Sequence, residues 1–309
     1  MRALLISTYD LGRQPFGLAS PAAWLRESGV EVTCADLSRG RLPVEAARTA
    51  TLVGFFLPMH TATRLALPVI DRVRALNPGA RLVAYGLYAQ LNEALLRERG
   101  IHEVFGGEFE ELLLRAALSP TALEAAEDGA SRQTAGSQPR LAFRIPVREG
   151  LPPLSRYAGL QVGAERRIAG YTEASRGCKH RCRHCPIVPV YDGRFRIVQP
   201  DVVLADARAQ VAAGARHITF GDPDFFNGIG HARQILERFA RECPGVSYDV
   251  TIKVEHLLQH AGALPLLRET GCAFVTSAVE SLDDRVLGYL EKGHTRADVE
   301  RAVALCAEA

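Results

Sequence analysis

The sequence predicts an α/β protein in two parts, a doubly wound domain followed by an incomplete β/α barrel. Short apolar runs alternate with helical patterns in both halves of the chain, which is typical of a parallel sheet covered by helices. Between residues 119 and 165 this alternation gives way to clusters of Gly, Ser and Pro. We therefore expect domains at 1–118 and 166–309, joined by a linker and strap at 119–165.

Composition restricts the classes of protein that fit. The chain has 309 residues, 47% of them hydrophobic and 23% charged, with a net charge of +2. This length allows two domains, and the balanced charge argues against a dedicated nucleic-acid surface. No apolar run reaches the length of a membrane helix, so we expect no membrane partner. Seven cysteines, three of them in one loop, fit a reducing compartment better than a disulfide framework. The expected location is cytoplasmic.

The first domain should contain five strands. The apolar runs predict them at Ala3–Ser7, Glu31–Ala35, Thr51–Leu57, Arg81–Tyr85 and His102–Phe105. Helices are predicted between them at Pro21–Ser28, Thr63–Leu76, Leu91–Glu98 and Glu110–Leu118. Open sheets of this kind bind ligands beyond the carboxyl ends of their strands. Those ends lie at Thr8–Gly17, Pro58–Thr63, Gly86–Gln90 and Gly106–Glu108. No G-x-G-x-x-G follows the first strand, so the dinucleotide-binding fingerprint is missing.

The linker carries no candidate site. Within it, Leu141–Ile145 is predicted as a short strand, and Pro146–Tyr157 as an extended strap lying on the second domain. The alternation then resumes with four β/α units. Their strands are predicted at Ile168–Ala174, His217–Phe220, Ser247–Lys253 and Ala273–Ala278. Their helices are predicted at Asp201–Ala213, Ile229–Arg241, Leu257–Glu269, Asp283–Leu290 and Arg296–Ala307.

Polar residues follow each of these four strands, at the end where β/α barrels carry their working residues. They are Cys178, Cys182 and Cys185 after the first strand, Asp222 and Asp224 after the second, Lys253 and Glu255 after the third, and Ser277 and Glu280 after the fourth. Lys253 and Glu255 could equally form a simple ion pair at the rim.

The three cysteines have the spacing C-x3-C-x2-C in the segment 176–186. Thiolates suit iron–sulfur clusters and zinc, and three ligands to a four-iron cluster leave one iron free to bind something else. Two alternatives stay open: a zinc site that recruits His180 or His184, and a redox pair of Cys182 and Cys185. Zinc sites usually show a second ligand pair further along the chain, and none follows here.

This spacing resembles that of the radical S-adenosylmethionine (SAM) superfamily, in which the open iron holds the amino and carboxylate groups of SAM. The resemblance implies an enzyme with a 4Fe–4S cluster on Cys178, Cys182 and Cys185. Such an enzyme reductively cleaves SAM to a 5′-deoxyadenosyl radical. It also implies an electron donor such as flavodoxin or ferredoxin, and it leaves the substrate unknown.

The same resemblance implies residues that bind SAM. Relatives carry a Gly-Gly-Glu-like segment for the SAM amino group, and Gly221-Asp222-Pro223-Asp224 stands in its place here. Glu280 and Ser281 resemble the positions that hold the ribose or sulfonium side. His184 replaces the aromatic residue that usually precedes the third cysteine near the adenine. Lys253, Glu255 and Ser277 complete the expected cofactor-binding set, because they end the neighbouring strands.

A Rossmann-like domain in front of such a core resembles the cobalamin-binding domains of many radical SAM enzymes. Cobalamin domains of other enzymes carry Asp-x-His-x-x-Gly after the first strand, where the histidine ligates cobalt. This chain has Asp10-Leu11-Gly12-Arg13, without that histidine. The departure implies that cobalamin binds base-off without a protein ligand, or does not bind. His60, at a strand end, is a substitute ligand to consider.

Segments 170–176, 186–191 and 220–227 resemble the CUAEP/CCAEP-tail radical SAM proteins, although Leu305–Ala309 reads as part of a helix and not as that tail. Radical SAM cores usually comprise six β/α units. We count four, so we expect a piece of a longer chain in which the fourth strand lacks a neighbour. Two rival functions stay open: a methylthiotransferase-like modification enzyme, and a zinc-stabilised ligand-binding scaffold.

Overall fold

The computed structural model describes residues 1–118 and 141–309, and its chain divides into two compact units, Met1–Arg156 and Tyr157–Ala309. The division lies inside the predicted linker. None of the helices in these described ranges is both long and apolar enough to cross a membrane.

The first unit is a five-stranded parallel sheet. Its strands are β1 (Arg2–Ser7), β2 (Glu31–Asp36), β3 (Leu52–Phe56), β4 (Arg81–Tyr85) and β5 (Glu103–Phe105), in the order β2-β1-β3-β4-β5. Its helices are α1 (Phe16–Glu27), α2 (Val44–Thr49), α3 (His60–Leu76), α4 (Leu87–Leu91), α5 (Glu93–Glu98) and α6 (Glu110–Leu118). The five predicted strands are confirmed, α2 and α4 were not predicted, and the predicted helix at Leu91–Glu98 corresponds to α5.

Helix α1 begins five residues earlier than predicted because Pro21 lies inside it and not at its start. A proline has no N–H to donate to the carbonyl four residues before it, here Gly17. That carbonyl accepts a hydrogen bond from the Tyr85 hydroxyl instead, at 2.9 Å. The sheet therefore compensates for the proline, and the helix continues through it.

The predicted strap lies on the first unit, so its prediction was wrong in this respect. Val147 N donates to Ala19 O at 3.0 Å, and the Gln14 side chain donates to Pro152 O at 2.9 Å. Residues 141–145 belong to no strand, which corrects the other prediction for this segment. A carbonyl of α1 and the side chain of Gln14, in the loop before that helix, supply partners for an extended segment, and the sequence pattern does not show this.

The second unit is a curled half-barrel. Its sheet contains β6 (Gly159–Val162), β7 (Glu165–Thr172), β10 (His217–Phe220), β11 (Ser247–Thr251) and β12 (Cys272–Thr276), in the order β12-β11-β10-β7-β6. Strands β7, β10, β11 and β12 are parallel and β6 is antiparallel. A separate ladder pairs β8 (Ser175–Gly177) with β9 (Phe195–Ile197). Strands β6, β8 and β9 were not predicted.

The helices of this unit are α7 (Val188–Tyr191), α8 (Pro200–Ala212), α9 (Ile229–Glu242), α10 (Val254–Gln259), α11 (Leu264–Glu269), α12 (Asp284–Tyr289) and α13 (Arg296–Glu308). Alternation along the strands determines which side these helices cover. The rings of Phe220 and Tyr248 pack on Phe239 of α9 at 5.7 and 5.6 Å. The neighbouring residues along each strand, such as Thr219 and Asp249, consequently point to the opposite, inner face of the sheet.

Candidate functional site

The loop that carries the three cysteines is closed at its base by the antiparallel ladder of β8 and β9. Gly177, the last residue of β8, has φ +74°, and a Cβ there would lie 2.5 Å from the Arg194 carbonyl oxygen. Only glycine permits this close approach. The chain therefore leaves the ladder at Cys178 in a fixed direction and returns to it at Phe195.

The three thiols lie close enough to influence one another. Cys182 is buried, whereas Cys178 and Cys185 are partly buried. Burial raises the pKa of Cys178 to about 11 and also raises that of Cys185. The Cys185 sulfur adds to the shift at Cys178, and the Cys182 sulfur adds to that at Cys185. Three soft donors in one loop fit an iron–sulfur cluster or zinc, and either would have to displace the thiol protons.

Asp222, which follows β10, stabilises the start of this loop by hydrogen bonds. Its carboxylate accepts hydrogen bonds from Ala174 N at 2.9 Å and from the Ser175 hydroxyl at 2.5 Å. Burial raises the pKa of Asp222 to about 7, against the opposing effect of these two donors. Gly221 beside it passes so close to Tyr171 that a Cβ would lie 1.8 Å from the tyrosine oxygen. The predicted contacts of Asp222 and Gly221 with SAM stay predictions.

Asp224 joins the loops that follow three neighbouring strands. Its Oδ1 accepts from Phe226 N at 3.2 Å and Lys253 N at 3.4 Å. Its Oδ2 lies 2.7 Å from His256 Nδ1 and 3.6 Å from His180 Nε2. Burial alone would raise the pKa of Asp224, but the two imidazoles outweigh it and hold the pKa at about 2. The buried carboxylate is therefore ionised at neutral pH.

Lys253 and Glu255 form the ion pair that the sequence allowed, with Nζ to Oε2 at 3.0 Å. The same Nζ lies 2.9 Å from Nδ1 of His180. An ammonium group can only donate, so His180 accepts at Nδ1 and carries its proton on Nε2, facing Asp224. Atoms of Cys178, His180 and Asp224 lie within 4.8 Å of one another and could by distance hold an ion. The protonated Nε2 and the adjacent ammonium oppose a cation there.

His184 and Glu280, both predicted from the sequence, are brought together. The His184 Nε2 lies 3.2 Å from Glu280 Oε1, and the buried Lys292 Nζ lies 3.7 Å from the same oxygen. Glu280 has φ +68°, an uncommon conformation for this residue type. The Ser277 hydroxyl is buried without a hydrogen-bond partner among the described residues. Ser281 accepts from Asp283 N at 3.0 Å and so helps to begin α12.

Several site residues were missed by the sequence analysis: Asn227, His231, His256 and Lys292. Of these, His256 had a usable signal, because it stands next to Glu255 and just before the predicted helix at Leu257–Glu269. The others depend on contacts between distant parts of the chain.

A polar cluster on the inner face of the sheet was also missed. Asp249 Oδ1 accepts from the Thr219 hydroxyl at 2.6 Å and lies 2.8 Å from His217 Nε2. The other ring nitrogen of His217 lies 2.9 Å from the Ser247 hydroxyl. These four side chains make the inner wall of the half-barrel polar at this point.

The first unit also has unpaired polar atoms at the carboxyl ends of its strands. Within the described residues, the buried Ser7 hydroxyl and Asp36 Oδ2 have no hydrogen-bond partner. Gly12, the position at which cobalt-ligating domains carry histidine, has φ +76°. His60 is exposed at the start of α3, and His102 accepts from Leu82 N at the opposite edge. This edge therefore suits a polar ligand, and His60 is the described histidine near it.

Comparison with known proteins agrees with the two-part prediction. Residues 172–309 match the family model of the Radical SAM superfamily. This match lies within the second unit, which thus resembles a radical SAM domain, and the members of this superfamily are enzymes.

Solved structures resemble the chain over 99% of its length. The radical SAM methyltransferase TsrM of Kitasatospora setae, with cobalamin and a 4Fe–4S cluster bound, gives a TM-score of 0.72 at 20% identity, and 65% of its chain is covered. The cobalamin-dependent radical enzyme OxsB gives 0.71 at 14% identity, and 47% of its chain is covered. These similarities confirm the predicted fold class.

A curated relative is the ribosomal protein uS12 methylthiotransferase of Desulfosudis oleivorans, 27% identical over 154 residues. The match covers 46% of this chain and 35% of the relative. The chain thus spans about a third of this relative's length.

Proposed function

We propose that the chain acts as a radical SAM enzyme whose 4Fe–4S cluster is held by Cys178, Cys182 and Cys185. The observation that carries the proposal is the position of three interacting thiols in one loop after the first strand of a radical SAM domain. Bound there and reduced by an external one-electron donor, the cluster would supply the electron for cleavage of SAM to methionine and a 5′-deoxyadenosyl radical, which would abstract hydrogen from a substrate. The soft thiol donors fit this cofactor.

The residues around the loop divide into two groups. Asp222 and Asp224 are buried and bonded to the protein's own donors, so their main work is to shape the site. Glu255 and Glu280 keep 41% and 36% of their side chains exposed. A cationic amine or sulfonium is best met by an accessible carboxylate, so we assign the charge of SAM to these two residues. His184 accompanies Glu280 and can stack on the adenine.

Cobalamin is the second cofactor that we propose, held at the carboxyl edge of the first unit. The unpaired Ser7 hydroxyl and Asp36 carboxylate oxygen support a polar ligand at this edge. TsrM and OxsB, whose fold matches over 99% of this chain, both carry cobalamin. With this cofactor, methyl transfer to an unactivated carbon is the expected outcome. The resemblance of the segments noted above supports the CUAEP/CCAEP-tail proteins as a related subgroup.

A methylthiotransferase-like activity is the second candidate, because a curated relative has this function. The cysteine distribution disfavours it. Such enzymes usually carry a second cluster, whereas Cys34 is the single cysteine in the first 156 residues of this chain. One thiol cannot assemble a second cluster site in the first unit.

Anaerobic reconstitution tests the proposal. With iron, sulfide, SAM and a strong reductant, the protein should become brown, contain about four iron atoms per chain and produce 5′-deoxyadenosine detectable by mass spectrometry. Cys178→Ala, Cys182→Ala and Cys185→Ala should each abolish 5′-deoxyadenosine formation. Cys306→Ala, an exposed cysteine outside the loop, should retain it.

Two results would contradict the proposal: full iron content in the triple alanine variant, or stoichiometric zinc without iron in anaerobically purified protein. The second result would favour the zinc-stabilised scaffold.

A further inference from the structure

Residues 222–231, which follow β10, form hydrogen bonds to residues 174–179, the segment that leads into the cysteine loop. Asp222 bonds to Ala174 and Ser175, as described above. His231 Nε2 lies 3.0 Å from Ala174 O. Asn227 contacts the other end of that segment, at Cys178 and its two neighbours. The loop is therefore held from one side by residues that are not metal ligands.

Asn227 makes the contact nearest to a cluster ligand. It is fully buried, and its Oδ1 accepts from Lys179 N at 3.1 Å. The same oxygen lies 3.8 Å from the Cys178 sulfur, and Nδ2 lies 3.5 Å from Gly177 O. One side chain thus contacts three consecutive residues around the first cluster cysteine.

The local structure holds Asn227 in place. It lies in a 3-10 turn, Phe225–Gly228, in which the Phe226 N–H donates to the Asp224 side chain. Phe225 packs on Phe220 at 5.2 Å, and Phe226 packs on His260 at 6.0 Å. Two buried aromatic anchors beside a buried amide leave the Asn227 side chain little freedom to move.

We propose that Asn227 is a positioning residue that fixes Cys178 and keeps the Lys179 N–H bonded to its own side chain. The inference rests on the proposed function, because it assumes that Cys178 is a cluster ligand. Hydrogen bonds to the sulfurs and the net local charge determine the reduction potential of an iron–sulfur cluster. By occupying the Lys179 N–H, Asn227 withholds one such hydrogen bond and keeps the potential low, which favours electron transfer to SAM.

Two substitutions separate this role from simple support of the loop. Asn227→Ala frees the Lys179 N–H for a sulfur atom, and a donor there stabilises the more negative reduced cluster. Its midpoint potential should rise. Asn227→Asp keeps the acceptor for Lys179 N but adds a negative charge 3.8 Å from the sulfur. Its potential should fall. Gln161→Ala removes an exposed amide elsewhere in the same unit and should leave the potential unchanged.

The measurement is an anaerobic redox titration of each reconstituted variant, followed by electron paramagnetic resonance. Shifts of opposite sign for the alanine and aspartate variants are the expected result. Unchanged potentials, or shifts of the same sign in both variants, would overturn the proposal, because loosening of the loop does not depend on the charge of the substituent.

A second readout uses the protein without its cluster. Iodoacetamide alkylation of the apoprotein, followed by peptide mass spectrometry, gives the rate at Cys178 relative to Cys185. Asn227→Ala should raise this ratio several-fold, roughly three or more, because the loosened loop makes the partly buried thiol accessible to the reagent. An unchanged ratio would refute the positioning role. If the wild-type protein assembles no cluster, the proposed function fails, while this experiment still decides the role of Asn227 in the loop.

Discussion

The carboxyl groups of Asp222 and Asp224, two residues apart, have pKa values shifted in opposite directions for identifiable reasons. Asp222 has two neutral donors, and burial raises its pKa to about 7. Asp224 is also buried, but the imidazoles of His180 and His256 hold its pKa at about 2. The partners, and not the depth of burial, decide which form the folded protein holds.

The raised pKa of Asp222 predicts how stability varies with pH. Its folded pKa lies above the unfolded value, so the protonated form favours folding. This contribution to the free energy of unfolding is full below about pH 4 and is lost as the pH rises through about 7. The loss amounts to at most about 4 kcal/mol. Asp222→Asn stays neutral and should remove this loss, so the variant should gain stability over wild type between pH 5 and 8.

Urea unfolding of the cluster-free full chain at several pH values measures this difference. Asp224 does not interfere, because the stabilisation from its lowered pKa is full above about pH 4 and is lost only as the pH falls from there through about 2. Parallel curves of unfolding free energy against pH for wild type and Asp222→Asn would contradict the prediction.

Gly221 tests the close packing beside the site. A Cβ would lie 1.8 Å from the Tyr171 oxygen, so Gly221→Ala must displace that ring. We expect a loss of about 1–3 kcal/mol in unfolding free energy, most of it recovered when Tyr171→Ala makes room. Gly230→Ala is the matched control, because a Cβ there meets nothing within 4 Å. An equal cost for both glycine substitutions would show that crowding is not the cause.

At the scale of the elements, β12 lies at the edge of the sheet in the second unit. It pairs with β11 on one side and ends the order of the described sheet on the other. Its residue Phe274 keeps 43% of its surface exposed. An apolar edge strand with open backbone groups favours pairing between molecules.

We therefore predict that the 309-residue chain self-associates through β12. Thr276→Lys, an exposed position on this strand, should shift association to higher protein concentration because a lysine at an edge obstructs pairing. Thr49→Lys adds the same charge at an exposed position of the first unit and is the control. Light scattering over a concentration series measures the effect. Equal behaviour of the two variants would exclude β12 as the contact.

At the scale of the whole molecule, the two proposed cofactors belong to different units. The cluster cysteines lie in Tyr157–Ala309, whereas the proposed cobalamin edge lies in Met1–Arg156. The variant without the three cysteines should therefore bind hydroxocobalamin as tightly as wild type. Absorption titration of the full chain measures the affinity, and loss of binding in that variant would show that the second unit contributes to the site.

The same titration reports the cobalt ligand. Gly12 offers no imidazole, so the bound spectrum should be base-off without protein histidine. His60→Ala should leave that spectrum unchanged. A spectrum with imidazole on cobalt that disappears in His60→Ala would assign His60 as the ligand, and no binding at high micromolar cobalamin would refute the cofactor proposal.

Features encoded over short stretches of sequence were predictable. All nine strands predicted from apolar runs in the two domains are present in the structure, because such runs indicate that residues adjacent in the chain are buried. The spacing of Cys178, Cys182 and Cys185 likewise needed no tertiary information, because one loop contains all three. These two signals were sufficient for the fold class and for the proposed metal ligands.

What depended on pairing between distant segments was decided only by the tertiary structure. The strap lies on the first unit through Val147 and Ala19, 128 positions apart, and no local pattern encodes that choice. Asp222 accepts a hydrogen bond from Ala174 at the start of the cysteine loop, and Asn227 contacts Cys178, which lies 49 positions earlier in the chain. The physical reason is that hydrogen-bond partners are selected by which backbone and side-chain groups remain unsatisfied after the sheet has formed. Local sequence determines the helices and strands, but it does not show which polar groups still need a hydrogen-bond partner once the sheet has formed.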